Sequence, residues 1–239
     1  MTDAGEDSQP ASNPHAGRSA LSGRFLAFEG ADGSGKSTQL ARFVACAEAA
    51  GLTVCELREP GGTVVGEAIR AVLLDHASEG IALSAEMFLY MASRAQLVKE
   101  KVRPALERGE LVVADRFVPS TIAYQGAVGG MPEDDIRAVA QIATGGIAPD
   151  PVVVIDVDDK TALRRTEGVS RKRTRPSDQP TLFQDRMERK MSSAWAQIRE
   201  SYVAQSKAEP DRFIVVNGAR DEDTVHTAML DAIRAHVAK

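Results

Sequence analysis

The sequence has few cysteines, few aromatic side chains and no long apolar run. Its two cysteines, Cys46 and Cys55, belong to no Cys-x-x-Cys pattern and no histidine cluster, which weighs against a thiolate metal site or a redox centre. No apolar run approaches the ~20 residues that a membrane-spanning helix needs. Positive charge is not in excess either, and the formal net charge of −5 disfavours broad binding to nucleic acid or to a membrane surface.

The rest of the composition is that of an ordinary globular protein, with 43% hydrophobic and 26% charged residues among 239. Residues 1–23 differ, because they are rich in Gly, Pro, Ser, Ala, Asp and Asn. We expect a disordered tail there, since these residues cannot bury enough surface to offset the entropy of ordering. One domain, residues 24–239, follows. We expect no secretory signal and a cytoplasmic location, where the cysteines stay reduced.

The most informative stretch is the phosphate-loop motif G-x-x-x-x-G-K-S, from Gly30 to Ser37. Its glycines let backbone N–H groups converge on one anion, the lysine reaches the β- and γ-phosphates, and the serine hydroxyl binds Mg²⁺. An apolar segment precedes it and an amphipathic one follows, as the motif requires. The expected ATP-binding residues are consecutive: Gly30, Ala31, Asp32, Gly33, Ser34, Gly35, Lys36, Ser37 and Thr38.

Short apolar segments alternate with stretches of helical periodicity along the whole chain. This alternation predicts a three-layer α/β/α fold of the P-loop NTPase type, around a five-stranded parallel sheet with ligands at the carboxyl ends of its strands. The predicted strands are residues 24–28, 53–57, 110–116, 151–156 and 212–217, and the predicted helices are residues 37–50, 64–74, 84–108, 132–143, 161–165, 182–208 and 223–237. We expect Ser84 to cap the third helix and Pro104 to kink or interrupt it.

Asp115 and Arg116 end the third predicted strand. A carboxylate there is a candidate for the metal-binding aspartate of this fold type, together with Ser37, although a strand-end cap is the alternative. Arg116 lies beside an anionic site, so the simplest interpretation is that it contacts a phosphate.

A basic segment, Ser170 to Arg175, is the second informative stretch. It is either an ordinary solvated loop, a nucleic-acid contact, or a mobile lid over about residues 166–182 that closes on the triphosphate. In the lid interpretation Arg171, Arg173 or Arg175 stabilises charge on the transferring phosphoryl group, and the sequence does not distinguish among the three.

Taken in order, the motifs of this chain resemble those of the thymidylate kinase family, with matches from Phe28 to about Val225. They are FEGADGSGKST at residues 28–38, REPGGT at 58–63, Tyr90-x-x-x-Arg94, Asp115-Arg116-Phe117, Ser120-x-x-x-Tyr124-Gln125-Gly126, Pro149-Asp150 and Asp185-Arg186-x-Glu188. The resemblance implies phosphorylation of dTMP by ATP with Mg²⁺, in a homodimer built through long helices such as the one around Phe88 and Met91.

The resemblance also implies roles for matching residues, beginning with Tyr90 stacking on the thymine and Arg94 hydrogen-bonding it. Asp32 is then near the sugar hydroxyl of the acceptor, and Arg116, with Arg58, contacts its phosphate. Tyr124 packs on the sugar and selects deoxyribose. Further substrate-binding residues implied for this pocket are Glu59, Thr121 and Gln125.

Two departures from the family pattern stand out. Gly33 replaces an arginine that one branch of the family carries in the phosphate loop, and the arginines lie in the later segment, as in the bacterial branch. Asn217-Gly218 stands where the family more often has Asp-Ala, a change expected to matter little.

Three other functions stay open at this point. A deoxynucleoside kinase would phosphorylate a neutral hydroxyl and would need a carboxylate base, for which Glu59 or Asp32 is available. A GTPase switch is disfavoured because no Asn-Lys-x-Asp signature is present, and a nucleic-acid motor is disfavoured by the net charge.

Overall fold

A computed structural model describes residues 20–75, 78, 80–172 and 194–239. The predicted tail, apart from its last four residues, lies outside the described residues. So do Arg173, Arg175 and the Asp185–Glu188 motif, while Arg171 is described in its backbone alone.

Five parallel strands form one sheet in the order β2-β3-β1-β4-β5. Their bounds are β1 Phe25–Glu29, β2 Val54–Arg58, β3 Leu111–Asp115, β4 Val152–Asp156 and β5 Phe213–Asn217. The five-stranded parallel sheet is thus confirmed, with every strand bound within one residue of its prediction. Short, continuous apolar runs mark such strands because helices cover both faces of the sheet.

The helices surround this sheet. They are α1 Lys36–Ala49, α2 Val64–Leu74, α3 Leu83–Leu97, α4 Arg103–Glu107, α5 Val118–Thr121, α6 Glu133–Thr144, α7 Asp159–Lys172, α8 Trp195–Ala208 and α9 Glu222–Val237, with π-helical turns at Val98–Val102 and Ile122–Val128. The helix predicted for residues 161–165 is therefore longer, and its last turns include residues 166–172 of the predicted lid. Of the helix predicted for residues 182–208, the described part is α8.

The third predicted helix is interrupted as Pro104 suggested. A π-helical turn separates α3 from α4, and the N–H of Arg103 bonds to the carbonyl of Val98. This wider turn precedes a proline that lacks an N–H and whose ring crowds the preceding turn. The predicted cap is wrong, because α3 begins at Leu83 and its N-cap is Ala82, with no side-chain bond.

Alternate side chains of each strand reach opposite layers of the fold. Leu26 and Phe28 of β1 are buried in a cluster with side chains of α1 and α9, whereas Phe25 and Ala27 are buried with side chains of α3 and α4. Trp195 of α8 is buried in a cluster with side chains of β4. In the part of the chain that the structure describes, no helix is both long and apolar enough to cross a membrane.

Candidate functional site

The phosphate loop connects β1 to α1, and its glycines are required by the backbone. Gly30, Gly33 and Gly35 have φ values of 144°, 76° and 94°, which L side chains rarely adopt. A Cβ at Gly33 would also collide with the carbonyl oxygen of Ala162 in α7. Since α7 covers the loop at this point, an arginine at position 33 could not fit without moving the helix.

Lys36, the first residue of α1, is buried beside the end of β3 and its Nζ contacts Oδ1 of Asp115. Burial, followed by repulsion from Arg116, lowers the pKa of Lys36 to about 7. Ser37 and Thr38, by contrast, are exposed in the first turn of α1. The structure therefore joins the predicted lysine and aspartate and leaves the two hydroxyls open to solvent.

The oxygen atoms of Ser37 and Asp115 have the chemistry that Mg²⁺ prefers. The side chain of Asp115 is 21% exposed, so its carboxylate is accessible. Kinases hold Mg²⁺ through one or two protein oxygens, with phosphates and water completing the shell. No group of three or more His, Cys, Asp or Glu side chains that could hold a metal occurs among the described residues.

Arg116 follows β3 in a left-handed conformation, with φ 74°, the single non-glycine case in the described ranges. That conformation costs roughly 1–2 kcal/mol in an L residue. Its Nη2 lies 2.6 Å from Oδ1 of Asp32, and its guanidinium lies 5.1 Å from the ring centre of Tyr124. Arg116 therefore contacts two residues predicted to share its site, one of which, Asp32, is 84 residues away in the sequence.

Glu29 is a site residue that the sequence analysis missed. It ends β1, is fully buried, and accepts hydrogen bonds from the N–H of Phe117 at 2.8 Å, the Ser120 hydroxyl at 2.6 Å and the Tyr202 hydroxyl at 3.0 Å. Burial raises the pKa of its carboxyl. The available signal was a glutamate at the carboxyl end of a strand that is otherwise apolar. Its partner Tyr202 is also buried.

A pocket opens next to Arg116. It is lined by Glu59, Pro60, Tyr90, Arg94, Arg116, Ser120, Thr121, Tyr124 and Gln125. Seven of the nine predicted substrate-binding residues are among these. Asp32 is not in the wall but reaches it through its ion pair with Arg116. Arg58 is exposed at the end of β2 and is not among the lining residues.

Arg94 lies at the bottom of this pocket, held from two sides. Its Nη2 is 2.6 Å from Oε2 of Glu59, and its Nη1 and Nη2 are each 3.2 Å from Oγ1 of Thr121. Burial raises the pKa of Glu59, an effect that the positive charge of Arg94 opposes. The second carboxylate oxygen, Oε1, is buried without a hydrogen-bond partner among the described atoms. A buried oxygen of this kind is expected to accept a bond from a polar ligand or a water.

Two further residues complete the surroundings of the phosphate loop. Nη1 of Arg165, in α7, donates to the carbonyl of Ser34 at 3.1 Å. Gly218, after β5, is so close that an added Cβ would be 2.9 Å from the Ser34 carbonyl oxygen and 2.6 Å from Cγ2 of Ile155. Glycine at position 218 is therefore required by the close packing, because a side chain would push the end of β5 away from the phosphate loop.

Comparison with known proteins gives one consistent family. The family model for thymidylate kinase matches residues 28–229. A thymidylate kinase of Solidesulfovibrio magneticus is 40% identical over 205 residues, covering 86% of this chain and 96% of the relative. One of Deinococcus radiodurans is 41% identical over 211 residues, covering 88% and 96%. The crystal structure of thymidylate kinase from Ehrlichia chaffeensis is similar with a TM-score of 0.68 and 27% identity, covering 88% of this chain and 98% of that one.

Proposed function

The chain belongs to the thymidylate kinase family, and we propose that it transfers the γ-phosphoryl group of ATP to dTMP, giving dTDP and ADP. One observation carries this proposal: Arg116 lines the acceptor pocket and is paired with Asp32 of the phosphate loop at 2.6 Å. The guanidinium of Arg116 thus lies between the phosphate loop, which would bind the donor, and the pocket, which would bind the acceptor. A cation in this position offsets the repulsion between the two phosphates during transfer.

On the donor side, the backbone N–H groups of residues 30–38 and the ammonium of Lys36 receive the triphosphate. Ser37 and Asp115 would hold Mg²⁺, which neutralises phosphate charge when it is bound. These roles are supported by the left-handed glycines of the loop and by the position of Asp115 beside Lys36. We further propose that Arg171, Arg173 or Arg175, from a lid at about residues 166–182, adds positive charge at the transferring group.

On the acceptor side, we assign the base to the inner end of the pocket. Arg94 and Thr121 supply polar contacts, Tyr90 supplies a ring to stack on, and Gln125 lines the same wall. Tyr124 packs on the sugar beside Arg116, whose guanidinium receives the acceptor phosphate. Arg58, exposed at the end of β2, is assigned a weaker contact with the same phosphate.

The acceptor phosphate needs no protein base, because its second pKa is near ~6 and it is mostly a dianion at neutral pH. This distinguishes the proposal from a deoxynucleoside kinase, in which a carboxylate must take a proton from a hydroxyl. Both candidate carboxylates are already paired with arginines, Glu59 with Arg94 and Asp32 with Arg116. Paired in this way, both carboxylates orient arginines of the pocket, which is the role that this proposal gives them.

We also propose a homodimer in the cytoplasm. The support for a dimer is an exposed apolar surface on α2 and α3, where Val64 is 90% and Phe88 is 55% exposed. Met91, expected to share that surface, is instead buried in the protein core. The free thiols of Cys46 and Cys55 fit a reducing compartment. Sedimentation velocity of the wild type and of Phe88→Glu tests the dimer, and a wild-type monomer would contradict it.

A coupled ADP-release assay tests the activity with dTMP, dUMP, dGMP, thymidine and single-stranded DNA supplied one at a time. We expect turnover with dTMP, weaker turnover with dUMP, and negligible stimulation by DNA. Robust turnover with thymidine and none with dTMP would instead establish the deoxynucleoside kinase. Lys36→Ala abolishes turnover in either case, so it serves as the background control and does not discriminate.

A further inference from the structure

Three side chains from three separate elements meet in the interior next to Arg116. Glu29 ends β1, Ser120 lies in α5 and Tyr202 lies in α8. The Ser120 hydroxyl is 2.6 Å and the Tyr202 hydroxyl 3.0 Å from Oε2 of Glu29, and the two hydroxyls are 2.9 Å apart. All three side chains are buried. We call these residues the Glu29 cluster.

The Glu29 cluster contacts Arg116 through both its side chain and its backbone. Nη1 of Arg116 is 3.1 Å from the Ser120 hydroxyl and 3.4 Å from the Tyr202 hydroxyl. Oε1 of Glu29 accepts the N–H of Phe117, the next residue, at 2.8 Å. The N–H of Arg116 itself bonds to the carbonyl of Phe28 at 3.0 Å, one residue before Glu29. The end of β1 therefore holds the turn in which Arg116 is left-handed.

Packing alone does not require these polar atoms. A phenylalanine would fill the space of the Tyr202 ring, and β1 is otherwise apolar and buried. Burying a carboxylate and two hydroxyls is unfavourable unless they satisfy one another, and a satisfied polar network of this kind fixes a geometry. The geometry fixed here is that of one arginine.

We propose that Glu29, Ser120 and Tyr202 are positioning residues that hold the Arg116 guanidinium in place for the acceptor phosphate. This inference rests on the proposed function, because it takes the acceptor to be a phosphate monoester. Glu29 and Tyr202 are not among the residues that line the pocket, and Ser120, which does line it, takes this role through its bond to Arg116. They act through Arg116, so their loss should weaken recognition of the phosphate and leave recognition of the base and sugar intact.

Tyr202→Phe is the direct test, because it removes the hydroxyl and keeps the ring. Binding of dTMP and of thymidine is measured separately by titration calorimetry, since thymidine lacks the phosphate. We expect the Kd for dTMP to rise about tenfold and the Kd for thymidine to stay within about twofold, as loss of a hydrogen bond to a charged group implies. The matched control is Ile198→Val in the same helix, which trims a fully buried side chain without a polar contact and should change neither Kd.

A second variant protects the test against a folding defect at position 202. Ser120→Ala removes the other hydroxyl that contacts Arg116, and should give the same selective loss of dTMP binding. In an Arg116→Lys background, Tyr202→Phe should change dTMP binding by less than about twofold, because residues that act through one group are not additive. Full additivity, or equal weakening of dTMP and thymidine, would overturn the inference.

The outcomes also separate this inference from the proposed function. A wild-type protein that does not phosphorylate dTMP would overturn both. A wild type that does so, with Tyr202→Phe and Ser120→Ala binding dTMP as tightly as the wild type, would overturn the positioning role and leave the kinase assignment intact.

Discussion

Arg94 and Glu59 form a buried ion pair, with Nη2 and Oε2 2.6 Å apart and each side chain 2% exposed. Arg94 is therefore not an ordinary exposed arginine on the surface of α3. Glu59 fixes one edge of the guanidinium, Thr121 contacts the other side at 3.2 Å, and the ring of Phe117 lies 5.0 Å away. The arginine is thus held in one orientation before any ligand is bound.

Substituting Arg94 by alanine should therefore damage stability as well as binding. The change leaves the Glu59 carboxylate buried and unpaired, which costs about 3–5 kcal/mol of unfolding free energy. Urea unfolding of Arg94→Ala, of Glu59→Gln and of the double variant measures the cost. We expect the double variant to be more stable than Arg94→Ala alone, since it no longer buries a lone charge. Equal stability of the two would contradict the ion-pair explanation.

Gly33→Ala should weaken ATP binding, because a Cβ at this position collides with the backbone of α7. Gly51→Ala is a closely matched control. Its φ is 83° against 76° at Gly33, yet an added Cβ has nothing within 4 Å. Both variants should lose about 1 kcal/mol of unfolding free energy, because alanine is unfavourable in a left-handed backbone conformation. In steady-state kinetics, the KM for ATP should rise about tenfold or more in Gly33→Ala and should not rise in Gly51→Ala. A similar rise in both variants would mean that backbone conformation, and not the contact with α7, is responsible.

Glu29 should make the stability of the protein depend on pH. Its pKa is raised from 4.5 by burial, so the folded protein binds the proton more tightly than the unfolded chain does. The resulting stabilisation is present below the unfolded pKa and is lost as the pH rises through the higher folded pKa. Glu29→Gln cannot titrate. The unfolding free energy of the wild type minus that of Glu29→Gln should therefore be larger at pH 5 than at pH 8, and a difference that is constant with pH would refute this.

Asp115→Asn should raise the Mg²⁺ concentration needed for turnover. An amide is a weaker ligand than a carboxylate, so we expect a shift of about tenfold or more in half-maximal Mg²⁺. Asp156→Asn is the control, since Asp156 ends β4 as Asp115 ends β3, but binds Arg199 at 2.7 Å. Its Mg²⁺ dependence should match that of the wild type. Mg²⁺ titrations of activity at fixed ATP give both values, and equal dependence in all three proteins would remove Asp115 from the metal site.

The sequence determined the fold, and it named most of the residues that line the pocket. Apolar runs and helical periodicity are local features, so the sequence predicted all five strands and most of the helices between them. The rule that ligands bind at the carboxyl ends of parallel strands then predicted that the phosphate loop and Asp115-Arg116 lie at one edge of the sheet. The predictions of where individual helices begin and end were less accurate. Ser84 did not cap α3, and α7 continued past residue 165, because packing and neighbouring turns outweigh single-residue preferences.

The tertiary structure alone decided how the site residues are held. Glu29, Ser120 and Tyr202 form one cluster around Arg116. Along the chain, however, Ser120 is 91 residues from Glu29 and 82 residues from Tyr202. The steric need for Gly33 and Gly218 likewise depends on α7 and β4 lying against the phosphate loop. Burial, and with it the pKa of a carboxyl, is set by what surrounds a side chain in space. No local pattern in the sequence carries that information.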